Sequence, residues 1–520
     1  MKKTIQSKKQ FINGAIWLTV SALILKIIGL IYKIPISYLL GDEGMGYFNS
    51  AYTIYTFFYI VATGGIPKAI SILVSKNEAE SKDSSDAIFK VSFYTFLIIG
   101  VILTVLFVIF SPLLSRAIGN SGALSAMYAV SPSLLFVCAG GVVRGYLTGK
   151  MKFAPIAISE LIGGISKLFF GLFFAVQGLK FNRPLTEICA YVILGITLGS
   201  FLGLIYLLIA YKINFRGGAI ASLAPRRIIS DVLKIALPIT CGAIVAGMSG
   251  IFDLSIIMNG LQRIGYSNAL SVSLYGNYTT LAVPMLSLVT TLLMPISTAV
   301  MPLLASNAAQ KNREEYNKNL GTALTLTSLL TAPAFIYFLF FAQDALTIIF
   351  EEGSAVIGFS MLAALAPSVL IIGHLTVLNT ALEADGRVGL SVFSLMLGTV
   401  AKFTITALLI TNEDVAILAA PIGTSASYMI SLIVSTFAIK SRRESVGFLF
   451  STLISPLICA SVGAVTVLVL KHYLTFPISA RLFSIITSLL FGALYLVLLL
   501  LLSKKARQNI IKLVKFNKKP

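Results

Sequence analysis

The chain has 520 residues, 57% of them hydrophobic and 12% charged, with a mean hydropathy of +0.92. A soluble domain carries about 25% charged residues, so the composition excludes a soluble enzyme or binding module and indicates a polytopic membrane protein. The formal charge of +20 lies in short loops on alternate sides of the apolar runs, which follows the positive-inside rule and argues against nucleic acid as a partner.

Hydropathy predicts about fourteen helical spans. They cover residues 11–34, 46–75, 88–112, 123–148, 153–177, 187–211, 229–259, 270–304, 318–342, 355–382, 388–410, 414–440, 446–470 and 480–503. The predicted fold class is therefore all-α. The first apolar stretch, Phe11 to Leu40, contains Lys26 and Lys33. It is too long for a signal peptide and lacks a small-residue cleavage site. Seven residues put the two lysines on one helix face, two turns apart. An intramembrane lysine costs about 2.5–3.5 kcal/mol on insertion scales, so the stripe points to a hydrated cavity with cationic walls. The alternative is snorkelling, which is open to Lys33 beside a break at Pro35. Lys26 lies roughly 22 Å of helix rise beyond Phe11.

Further intramembrane charges follow in chain order: Lys68, Glu160, Lys167, Asp253, Glu383 and Lys402. Lys68 follows Pro67 near a span end and is open to snorkelling. Glu160 and Lys167 share a face, seven residues apart. Lys167 and Lys402 serve equally well as cavity cations or as a structural pair bonding carbonyls. Asp253 is an acid deep in the seventh span and a candidate proton, sodium or counter-ion site. Arg144, ending the fourth span, reads as a topogenic loop charge. The segment Gly145–Met151 is not a P-loop, because three residues separate its glycines and Met151 stands where a Ser or Thr would hold magnesium. Cys138, Cys189, Cys241 and Cys459 read as buried apolar thiols, His374 as structural and His472 as a loop residue. No cofactor is implied.

Every second loop is basic, from Lys2, Lys3, Lys8 and Lys9 through Lys76 and Lys82, Lys150 and Lys152, Lys212, Arg216, Arg226 and Arg227, Lys311, Arg313 and Lys318, Arg387, and Lys440, Arg442 and Arg443. The intervening loops carry Asp42 and Glu43, Glu351 and Glu352, and Glu413 and Asp414. Both termini are therefore expected in the cytoplasm. An offset of about 235 residues pairs Pro67 with Pro302, Lys76 with Lys311, Ser131-Pro132-Ser133 with Ala366-Pro367-Ser368, Ser159 with Ser394, Gly163 with Gly398 and Lys167 with Lys402. Six spans separate the partners, so the halves run parallel. The expected organisation is a six-helix lobe at 1–212, a second at 213–441, two additional helices at 442–503 and a basic tail at 504–520.

The segments LLGDEGMGYFNSAYTIY, TGGIPKAIS, RGYLTGKMKFAPIAISE and LYGNYTTLAVPML through MPLLAS resemble the stage V sporulation protein B branch of the multidrug/oligosaccharidyl-lipid/polysaccharide exporter superfamily. Lipid II flippases form a neighbouring branch. The resemblance covers nearly the whole chain. It implies two lobes alternating around a central cavity in a bacterial plasma membrane. The substrate it implies is a polyprenyl-diphosphate-linked saccharide, lipid II foremost, for peptidoglycan synthesis. It also implies cavity cations on the first helix, where Lys26 and Lys33 stand in place of the arginines of the related branch, and a lipid-tail groove formed by the last two helices.

The expected cationic site is therefore Lys26, Lys33, Lys68, Lys167 and Lys402, with Asp253 and Glu160 as ion or counter-ion candidates. The expected partners are the lipid-linked substrate and membrane lipids, with proton or sodium coupling and cell-wall synthesis proteins as further candidates. The rivals are a cation-coupled drug exporter, which would favour an acidic cavity, a flippase for another polysaccharide precursor, and a non-transporting scaffold, which gains nothing from buried lysines.

Overall fold

The computed structural model describes residues 2–79, 85–214, 224–350, 352–439, 442–473 and 479–502. The expected tail and the loop cations Lys82, Arg216 and Lys440 lie outside them. The described residues are all-helical. The helices are α1 (Lys2–Thr63), α2 (Ile66–Ala79), α3 (Ser85–Ala117), α4 (Leu124–Val130), α5 (Ser133–Gly149), α6 (Ala154–Lys180), α7 (Leu185–Asn214), α8 (Pro225–Arg263) and α9 (Asn268–Asn277). There follow α10 (Val283–Ala309), α11 (Arg313–Phe340), α12 (Ala342–Ile349), α13 (Glu352–Ala384), α14 (Val388–Leu409), α15 (Ala419–Ala438), α16 (Arg442–Tyr473) and α17 (Ala480–Leu502). Prolines sit inside several of them, including Pro112, Pro238, Pro333 and Pro456. Such positions persist in membrane helices because neighbouring groups re-satisfy the freed backbone.

Each predicted span falls on helix. Among the described residues, eleven helices are long and apolar enough to cross a membrane, or twelve counting the bent pair 121–149. Two differences separate this from fourteen. The first two spans form one run, Ile27–Glu78, and α8 is not in the set. The helix continues through Pro35, where a break is expected from sequence. The interruption falls at Gly41, with φ 63° and ψ −174°. That conformation is open essentially to glycine alone. His472 lies in the last turn of α16 rather than in a loop. Cys241, expected buried, is exposed on α8, whereas Cys138, Cys189 and Cys459 are buried.

Contacts divide the chain into two compact units, 1–262 with 266–276 and 263–265 with 277–520. This partition differs from the lobes counted by spans, because α8 and most of α9 group with unit 1. In unit 1, Ile228, Val232 and Ala236 of α8 join an apolar cluster with Ile70, Val142, Tyr146 and Leu207. At its far end, Asn259 donates to the Ala117 carbonyl at 2.9 Å and Gln262 to the Gly119 carbonyl at 2.7 Å. These bonds satisfy carbonyls that the end of α3 leaves open.

Unit 2 contains its own polar joints. Asp344, 5% exposed, accepts from Lys471 at 2.8 Å and Ser484 at 2.9 Å, tying α12 to α16 and α17. His374 is buried, with Nδ1 2.7 Å from the Leu370 carbonyl and Nε2 2.9 Å from the Ser328 hydroxyl. A buried histidine with both nitrogens engaged fits the structural role expected of it.

The internal repeat is visible in packing. In the α6/α7 pair, a Cβ on Gly195 would lie 2.8 Å from the Lys167 carbonyl. In the α14/α15 pair, a Cβ on Gly423 would lie 3.2 Å from the Lys402 carbonyl. Ser159 donates to the Gly203 carbonyl at 3.0 Å, and Ser431 donates to the carbonyl of Ser394, the partner of Ser159, at 2.9 Å. Small residues let the backbones approach in both pairs.

Candidate functional site

Unit 1 contains an open-sided cavity of about 530 Å³, within the range of ligand sites. It lies between α1, on both sides of Gly41 (Leu25 before it, Tyr52 to Tyr59 beyond it), α5, α6 and α7. The α1 wall carries Tyr52, Tyr55 and Tyr59. Their spacing of three and four residues places them on one face. Consecutive ring centroids are 6.1 and 6.0 Å apart. The facing walls supply Arg144 from α5 and Glu160 and Lys167 from α6.

The Lys167 ammonium lies 4.7 Å from the centre of the Tyr32 ring and 5.0 Å from that of Tyr52. Ring faces carry negative quadrupole density, worth about 0.5–2 kcal/mol to a cation depending on desolvation. The rings therefore hold Lys167 in place without neutralising it. Lys33 is close enough to feel the Lys167 charge. The Arg144 Nε is buried and has no hydrogen-bond acceptor. Glu160 shares the cavity, yet among the described residues no ion pair joins it to Arg144 or Lys167. The site thus contains two cations and one acid, kept apart.

The structure gathers only part of the set predicted from sequence. Lys167 and Glu160 line the cavity and Lys33 stands near it. Lys26 lies on α1, and its side chain is outside those described. Lys68 is exposed on the first turn of α2. Lys402 is half-buried on α14 in unit 2, and Asp253 is half-buried on α8; neither lines this cavity. Arg144 is a correction. It lines the cavity wall from α5, five residues before that helix ends at Gly149, and is not a loop charge. The tyrosine face escaped sequence reading as well. Its signal was three hydroxyl-bearing rings at helical spacing in a span where Phe or Leu would satisfy lipid.

These features define a polytopic helical membrane protein with a charged cavity between its helices. The chain belongs to the polysaccharide biosynthesis protein family, whose profile matches residues 11–308, while the MatE profile matches 278–408. It is 21% identical over 424 residues to stage V sporulation protein B of Bacillus subtilis (strain 168), covering 80% of this chain and 81% of that one. It is 24% identical over 520 residues to lipid II flippase MurJ of the same organism, covering 94% of each. Among solved structures, a lipid II flippase MurJ in an inward closed conformation aligns with TM-score 0.67 and 16% identity, covering 94% of this chain and 98% of that one.

Proposed function

We propose that this protein exports undecaprenyl-diphosphate-linked saccharide precursors, lipid II first among them, across the bacterial plasma membrane by alternating access, in the service of peptidoglycan synthesis. The observation that carries the reading is a cavity whose cations, Lys167 and Arg144, are not neutralised by the acid beside them. A diphosphate cannot enter hydrocarbon, because desolvating its charge is prohibitive. A hydrated cationic passage removes that barrier, and charge-assisted bonds to ammonium and guanidinium groups hold the phosphate oxygens. A drug exporter for organic cations would want the opposite balance of charge. The test is growth of a strain depleted of its lipid II flippase. Expression of this chain is expected to restore growth, and failure to do so at normal membrane abundance removes lipid II as the substrate.

The same reading takes two six-helix lobes, 1–212 and 213–441, as the moving parts, with 442–503 as two added helices and both termini in the cytoplasm. Single cysteines at Glu413 and Lys311, in a background without Cys138, Cys189, Cys241 and Cys459, test the orientation. An impermeant thiol reagent is expected to label position 413 from outside intact cells and position 311 only after permeabilisation. External labelling at 311 overturns the topology.

A further inference from the structure

The cavity of unit 1 has two chemically distinct layers. The first contains Lys167 with its two tyrosine faces. The second lies seven residues away along each wall. Glu160 precedes Lys167 on α6, and Tyr59 follows Tyr52 on α1. These segments are the fifth and second crossings and run in opposite directions, so both steps lead the same way, by roughly 10 Å of helix rise. Arg144 stands at this end too, because only residues 150–153 link α5 to α6. The second layer is thus Tyr55, Tyr59, Arg144 and Glu160, a ring face flanked by a guanidinium and a carboxylate.

We propose that this layer is a saccharide subsite, which reads the first sugar of the lipid-linked head group while the Lys167 layer holds the diphosphate. The inference rests on the transport reading above and names which part of that substrate the layer recognises. A pyranose has an apolar C–H face and an equator of polar substituents. The C–H face suits the electron-rich face of a tyrosine. Its hydroxyl and amide substituents donate and accept, so a carboxylate, which only accepts, and a guanidinium, which only donates, together satisfy them. A layer built for phosphate alone has no use for Glu160, which repels it. The two layers lie far enough apart for a diphosphate and the first sugar to occupy them in sequence.

The test uses the purified full chain in lipid nanodiscs and two probes, undecaprenyl diphosphate and lipid II, which differ by the saccharide-peptide head. Tyr59→Leu and Glu160→Gln are each expected to weaken lipid II binding by about fivefold or more, while undecaprenyl diphosphate binding stays within about twofold. Tyr59→Phe keeps the ring face and is expected to bind lipid II as the unaltered chain does. Equal losses for both lipids would make the layer part of the diphosphate site and overturn the proposal. Undiminished lipid II binding by Tyr59→Leu overturns it as well. If Tyr59→Leu does not fold, Glu160→Gln, which preserves side-chain shape, decides by the same ratio. Binding of neither lipid by the unaltered chain removes the transport reading and the subsite with it.

Discussion

Lys167→Gln is expected to abolish rescue of a flippase-depleted strain while the protein reaches normal membrane levels on an immunoblot. Lys167 is a cavity cation poised by Tyr32 and Tyr52 with no carboxylate bound to it. Glutamine is one atom shorter and keeps some hydrogen bonding but removes the charge. A charge-assisted bond contributes about 1.5–3 kcal/mol, so head-group affinity should fall by about tenfold to a hundredfold. Lys167→Arg is expected to keep much of the activity. A guanidinium also stacks on tyrosine faces and offers a bidentate fork to phosphate. Binding of undecaprenyl diphosphate to the purified variants should follow the same order. Full rescue by Lys167→Gln at normal abundance would remove this lysine from substrate recognition and return it to a packing role.

Gly195→Val is expected to cause a large loss of folded protein by forcing apart the α6/α7 pair. An added Cβ would lie 2.7 Å from the Gly171 amide nitrogen and 2.8 Å from the Lys167 carbonyl. Both neighbours are backbone, so neither can rotate away. The helices would have to separate, and overpacking of this kind costs about 1–3 kcal/mol or more. The displaced segment also carries Lys167, so the site distorts along with the fold. Gly353→Ala is the control, because nothing lies within 4 Å of its added Cβ and alanine favours the helix by about 0.5–1 kcal/mol. Thermal unfolding in detergent measures both. An unchanged transition for Gly195→Val would show that α6 and α7 yield more readily than their contact implies.

Much of the fold could be read before any coordinates. Long apolar runs admit only helix in a bilayer, since every backbone group must be satisfied within its own segment. The positions of the spans and the repeat therefore followed from hydropathy and from pairs such as Lys167 and Lys402. The site was less legible. Glu160 and Lys167 stood out because an intramembrane charge is expensive wherever it faces. Arg144 looked like a loop residue because a cation near a span end has a topological explanation already, and only its place in the cavity wall distinguishes the two cases. Tyr52, Tyr55 and Tyr59 carried no charge to advertise them.

By itself, then, the amino-acid order determined that this chain is a helical membrane protein with buried cations, because both properties depend on free energies of transfer that each segment carries locally. Which of those cations share a cavity was decided only by tertiary structure. Helical spacing orders residues along one face but does not say which neighbour that face meets. The glycine contacts between α6 and α7 and the rings of Tyr32 and Tyr52 place Lys167 at the cavity wall. Lys68 lies exposed at the start of α2 because that turn buries Ile66 and Ala69 and leaves residue 68 on its outer face.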